Sequence, residues 1–148
     1  MRRFLVSISL FVLSLSGMAQ ALEVSDSCAS KYSVNISFHG MTITGLCIVR
    51  DYGDEVIGSV VNEFGIKAFD FVFNKDKGKT KLQNVIKMMN KWYIKKVISA
   101  DLSTLLCSKN SDKNMKRRTI INENGMLLLN NTKYNINYKF IPIDDTQQ

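Results

Sequence analysis

The chain of 148 residues carries one histidine, one proline, one tryptophan and three cysteines, and each scarcity excludes something. His39 stands alone, and no two cysteines have CxxC spacing, so neither a zinc site nor a Cys–His nucleophile is spelled out. The glycines are scattered singly, and GxGxxG, P-loop, GxSxG and HExxH signatures do not occur. Adjacent carboxylates, Asp54-Glu55 and Asp144-Asp145, fall in a predicted turn and in the tail. The expectation is a protein without catalytic machinery, cofactor or metal.

Long hydrophobic runs are also missing, except at the N-terminus. There "MRR" is followed by the apolar, hydroxyl-rich "FLVSISLFVLSLSGM" and the small-x-small triplet Ala19-Gln20-Ala21. Basic, apolar and cleavage regions in that order predict a signal peptide over residues 1–21 and export to the periplasm or beyond. The run is shorter than the roughly 20 apolar residues of a spanning helix. Removing it takes Arg2 and Arg3 from the 20 Lys and Arg set against 13 Asp and Glu, which leaves a net charge of +5.

An odd cysteine count in an oxidising compartment means one disulfide with one free thiol, or three free thiols. Cys47 lies in the strand-like "TITGLCIVR" and is predicted to be a buried small hydrophobe. Cys28 and Cys107 are then the disulfide candidates.

What the chain does have is Val, Ile, Thr and Phe in short runs cut by Gly, Asn or Asp. "YSVNISF" (32–38), "MTITGLCIVR" (41–50), "DEVIGSVVN" (54–62), "FGIKAFDFVFN" (64–74) and "KTKLQNV" (79–85) read as antiparallel strands. His39-Gly40 is a tight-turn candidate. In the fourth run Phe69, Phe71 and Phe73 share one face, with Lys67 at its start, while Asp70 points the other way. Arg50 and Lys67 are partners for Asp70 by residue type. The aromatic face suits either a packed core or the wall of an apolar cavity.

From residue 85 the period changes from two to 3.6. Val85, Ile86, Met89, Trp92, Tyr93, Val97 and Ala100 form one apolar stripe, and Lys87, Lys91 and Lys95 form a row on another side. This predicts an amphipathic helix from residue 86, broken near 100 and continuing through "DLSTLLC" to 106, with Ser99 or Asp101 as a cap. The lysine row suits solvent or peripheral contact with anionic headgroups. A polar, basic loop (108–118) follows, then Asn124-Gly125 between apolar runs as a hairpin turn, then a last strand in "KYNINYKFIPI" (133–143). Residues 144–148 read as a disordered tail. The expected fold is α+β: one domain over 22–143, a curved antiparallel sheet of about eight strands, and one main helix on its apolar face.

Basic clusters at Lys75, Lys77, Lys79 and Lys81, and at Lys113, Lys116, Arg117 and Arg118, raise nucleic acid as a partner. Aromatics are not interleaved with them, and anionic lipid surfaces account for the charge more simply.

The segment "ITGLCIVRDYGDEVIGSVVNEFGIKAFDFVFNKDKGKTKLQNV" resembles the β-meander of lipoprotein-localisation carriers of the LolA and LolB type. The resemblance covers the middle third of the chain, which is shorter than those carriers and lacks their long N-terminal helix. It implies an envelope protein whose sheet and helix enclose an acyl-chain site lined by Phe69, Phe71, Phe73, Trp92 and Tyr93. Two functions are therefore expected in competition. One is binding or carriage of a lipid or lipoprotein acyl chain; the other is a structural or protein-interaction module without a small-molecule ligand.

Overall fold

The computed structural model describes residues 29–107, 113–115 and 117–143. The predicted signal peptide, Cys28 and the tail 144–148 lie outside the described residues.

Among the described residues nine strands form one curled antiparallel sheet, and a single α-helix packs on its concave side, the α+β arrangement expected. The first five are a meander: β1 (Ser30–Phe38), β2 (Met41–Asp51), β3 (Glu55–Asn62), β4 (Lys67–Asn74) and β5 (Lys79–Gln83). A 3-10 turn (Lys87–Met89) and α1 (Trp92–Cys107) follow. The last four strands are β6 (Lys113–Met115), β7 (Arg118–Glu123), β8 (Met126–Asn131) and β9 (Ile136–Pro142). The spatial order is β5-β4-β3-β2-β1-β9-β8-β7-β6, so the first strand pairs with the last. The predicted loop 108–118 thus contains a ninth strand, three residues long at the sheet edge.

Both turn signals act as expected. His39 and Gly40 have φ of 46° and 77°, Asn124 and Gly125 have 49° and 80°, and each pair joins strands in register as a two-residue hairpin loop. Alternation then sorts the faces. Val34, Ile36 and Phe38 of β1, Val60 of β3, Phe69 and Phe71 of β4, and Ile136, Tyr138 and Phe140 of β9 are buried in one core cluster. Cys47 joins them at 1% exposure, as its sequence setting predicts.

Two local departures have clear causes. Val60 pairs with Phe69 but Val61 pairs with Lys67, which leaves Ala68 as a bulge. The bulge moves Lys67 off the aromatic face and onto the outer one, where its ammonium group meets Asp70 at 2.9 Å. The hydroxyl of Ser59, opposite Asp70, donates to the same carboxyl at 2.6 Å, and Asn84 donates at 2.6 Å.

The second departure is the helix start. Ile86 is extended (φ −55°, ψ 143°), and its N–H bonds to the carbonyl of Ala68, prolonging the edge pairing past β5. The 3-10 turn then inserts Met89, fully buried, into the core. The helix therefore begins at Trp92 rather than at 86, and it runs unbroken through residue 100 to Cys107. Its inward stripe is Ile94, Ile98, Asp101, Leu102 and Leu105. Tertiary pairing and one buried methionine override the local helical pattern.

The helix starts at the end of the sheet, here called upper, that carries the turns 39–40, 63–66 and 132–135. It descends toward the lower end, where Ser103 accepts a hydrogen bond from the N–H of Thr80 on edge strand β5 at 2.8 Å.

Candidate functional site

Because the helix begins at Trp92, its first two aromatic side chains face outward. Trp92 is 74% exposed and Tyr93 47%, and their rings meet edge to face at 6.0 Å. The sheet supplies the facing wall. Turn 39–40 brings His39, the start of β7 brings Arg117 and Arg118, and the turn after β8 brings Lys133 and Tyr134. With Lys96 and Val97 of the helix they line a cleft of about 440 Å³.

The cleft is cationic and aromatic. Among the described residues no aspartate, glutamate, serine, threonine or cysteine lines it. Lys96, Arg117 and Lys133 make no ion pair with a carboxylate among the described residues. The Lys133 ammonium group lies 4.7 Å from the centre of the Tyr134 ring. Hydrogen bonding to Lys133, with its charge and those of Lys96 and Arg117, lowers the Tyr134 phenol below its usual value despite some desolvation. The helix adds to the same sign of potential, since its first turn holds no acidic residue and its N-terminus is the positive pole.

Behind the cleft, one buried carboxyl group holds helix and sheet together. Asp101, fully buried, accepts from Arg118 Nε at 2.6 Å, from Asn131 Nδ2 at 2.9 and 3.0 Å, and from the Tyr138 hydroxyl at 2.8 Å. Four elements meet on it: α1, β7, β8 and β9. Burial first, then the Asp101 charge, pushes the Tyr138 phenol well above its ordinary value, so it stays a neutral donor. Arg118 and Asn131 also line the cleft, so this network fixes its floor.

The structure separates the five expected lining residues. Trp92 and Tyr93 are in the cleft. Phe69 and Phe71 are core residues at 0% and 2% exposure, and the void beside Phe71 holds only about 30 Å³. Phe73 faces a recess at the lower end, shared with Ser30, Asp51, Lys75, Leu106 and Cys107. Cys107 is an exposed free thiol among the described residues, and its candidate partner Cys28 lies outside them. Lys87, Lys91 and Lys95 do not form a helical row, because only Lys95 belongs to α1. All three sit at the upper end, and Lys91 Nζ lies 6.0 Å from the Tyr93 ring.

Asp101, Asn131, Tyr134, Lys96 and Lys133 did not stand out in the sequence as site residues. Asp101 has a signal in hindsight: an acid on the inward stripe with Ile94, Ile98 and Leu105 is no cap. Among the described residues no cluster of His, Cys, Asp and Glu could hold a metal ion, and no helix is long and apolar enough to cross a membrane. Comparison with protein-family models, curated proteins and solved structures returns no match.

Proposed function

We propose that the chain is an exported, non-catalytic envelope protein that binds an anionic amphiphile in the cleft at the helix start. The ligand class is a lipid or the acylated end of a lipoprotein. The observation that carries this reading is the lining: three cations without carboxylate partners among the described residues, beside exposed Trp92 and Tyr93 and half-buried Tyr134, with no described acid among them. An anionic group gains the cations, and an apolar stem gains the rings. The volume of about 440 Å³ is within the usual range for small-ligand sites.

The same geometry argues against an acyl chain threaded through the interior. A dry cavity that takes up benzene is about 150 Å³, and the void beside Phe71 is about 30 Å³. The ligand is held at the mouth. The filled core is also what favours the second reading, an interaction module in which Phe69 and Phe71 serve packing alone.

Titration with a monomeric short-chain phosphatidylglycerol separates the two. Trp92, the only tryptophan, reports binding by its emission. The expected result is a saturable blue shift, weakened roughly tenfold by Arg117→Glu or Lys133→Glu, each removing a charge-assisted contact. Absence of a saturable shift in the unmutated protein rejects the amphiphile and leaves the interaction module. Native mass spectrometry of the exported protein would show a co-purifying lipid and test cleavage after Ala21.

A further inference from the structure

The upper end carries large apolar side chains that neither the core nor the cleft uses. Phe64 is 78% exposed, Ile66 53% and Met88 47%. They sit on two short loops that are held in shape. The Asn62 side-chain oxygen accepts from the N–H of Phe64 at 3.0 Å and of Ile66 at 2.8 Å, and Ile66 also accepts from the Asn62 N–H at 2.8 Å. The second loop is pinned by buried Met89, next to Met88 in the chain, and by the bond from Ile86 to Ala68. These tips are presented, not left over from an unfolded loop.

Cations are interleaved with them. Along the second loop and into the helix the order is Lys87-Met88, then Lys91-Trp92-Tyr93, then Lys95-Lys96. Among the described residues Glu63 is the single carboxylate in the turns of this end. The lower-end turns and their flanks instead hold Asp51, Asp54, Glu55, Asp76 and Glu123 beside Lys75, Lys77 and Lys79. Over the described residues the charge is polarised along the helix axis, with the cationic excess and the exposed apolar tips at the same end.

Apolar tips alternating with lysines do not make the core of a protein–protein interface, where charged residues are depleted. They do fit an anionic bilayer surface. There, aromatic and aliphatic side chains settle at the headgroup level while lysines, through their flexible stems, stay with the phosphates. We infer that the upper end docks on an anionic lipid surface, with Phe64, Ile66, Met88 and Trp92 entering the interface and Lys87, Lys91 and Lys95 meeting the headgroups. The inference extends the cleft reading without requiring it. If both hold, the mouth of the cleft faces the lipid from which the amphiphile is drawn.

The test is co-flotation of the soluble protein with vesicles of phosphatidylcholine alone and of phosphatidylcholine containing phosphatidylglycerol. Binding is expected only with the anionic vesicles and is reduced by high salt. Phe64→Ser and Met88→Ser, both outside the cleft, should each lower the partition roughly tenfold through lost apolar burial. Lys87→Gln and Lys91→Gln should each lower it roughly fivefold. The N-terminus is common to all these variants, so differences between them report the upper end. Equal binding to neutral and anionic vesicles, no binding, or equal binding by all variants overturns the inference. Short-chain lipid titration of Phe64→Ser and Met88→Ser keeps the two readings apart. An unchanged cleft affinity beside lost flotation confirms the docking surface, while no saturable titration of the unmutated protein beside its flotation with anionic vesicles fails the cleft alone.

Discussion

Gly58 of β3 and Phe71 of β4 are paired in register, and the Phe71 ring occupies the space that a Cβ on Gly58 would need. The ring lies over the glycine, so the large and small residues of that pair are one packing unit. Phe71→Ala should destabilise by about 3–5 kcal/mol, the cost of emptying an aromatic site in a packed core. Gly58→Ala should cost about 1–3 kcal/mol by overpacking. Urea unfolding of each variant checks both. A Phe71→Ala cost near zero would mean that the ring borders a filled or solvated cavity instead.

The Asp101 network predicts a graded series. Tyr138→Phe deletes one hydrogen bond to a charged acceptor and should cost about 1.5–3 kcal/mol. Arg118→Ala leaves the buried carboxyl without its ion-pair partner and should cost about 3–5 kcal/mol. Denaturant midpoints order them, with Arg118→Ala the less stable. In the less damaged Tyr138→Phe protein, weakened binding of the short-chain lipid would show that the network positions the cleft floor.

Asp70 makes stability depend on pH. Partial burial raises its carboxyl, but hydrogen bonds from Ser59, Asn84 and Lys67, with the Lys67 charge, outweigh that and bring it below the usual value. A depressed folded value means the contribution is complete above the unfolded carboxylate value of about 3.9. It is lost as pH falls through the lower, folded one. Denaturant midpoints of the unmutated protein and of Asp70→Asn should therefore differ at pH 6 and converge as pH falls through the lowered, folded value. Parallel curves across that range would remove Asp70 as the source.

The thiols should differ sharply in reactivity. Burial pushes the Cys47 thiol up to about 12, while Cys107 is exposed. With the folded, reduced protein at pH 8, maleimide should modify Cys107 within minutes and Cys47 only after denaturant is added. Peptide mapping without reduction tests the candidate Cys28–Cys107 bridge. Ser30, two positions after Cys28 in the sequence, lines the same recess as Cys107.

Strands and turns were legible because each is coded locally. Alternation in "KAFDFVF" and "NINYKF" marks the buried face, and His39-Gly40 and Asn124-Gly125 supply the left-handed pairs a tight hairpin needs. The helix start was not legible, because what ends the extended segment is a hydrogen bond from Ile86 to a strand eighteen positions earlier. The side on which Lys67 points depends likewise on a bulge that periodicity does not register. Of the cleft lining, Trp92 and Tyr93 were visible as candidate site residues. Arg117, Lys133 and Tyr134 reach it from other segments, and only the β1–β9 pairing brings those segments alongside the helix start.

That same pairing sets an order of assembly. The hairpins on either side join neighbours in the chain, but Tyr32–Phe38 can pair with Ile136–Pro142 only once the final strand is available. Until then β1 carries a bare edge, and Val34 and Ile36 have a half-built core beside them. A chain synthesised from its N-terminus must therefore wait for its last segment before it closes. A cut ahead of Ile136 would leave two meanders without the strand that joins them, rather than a slightly smaller protein.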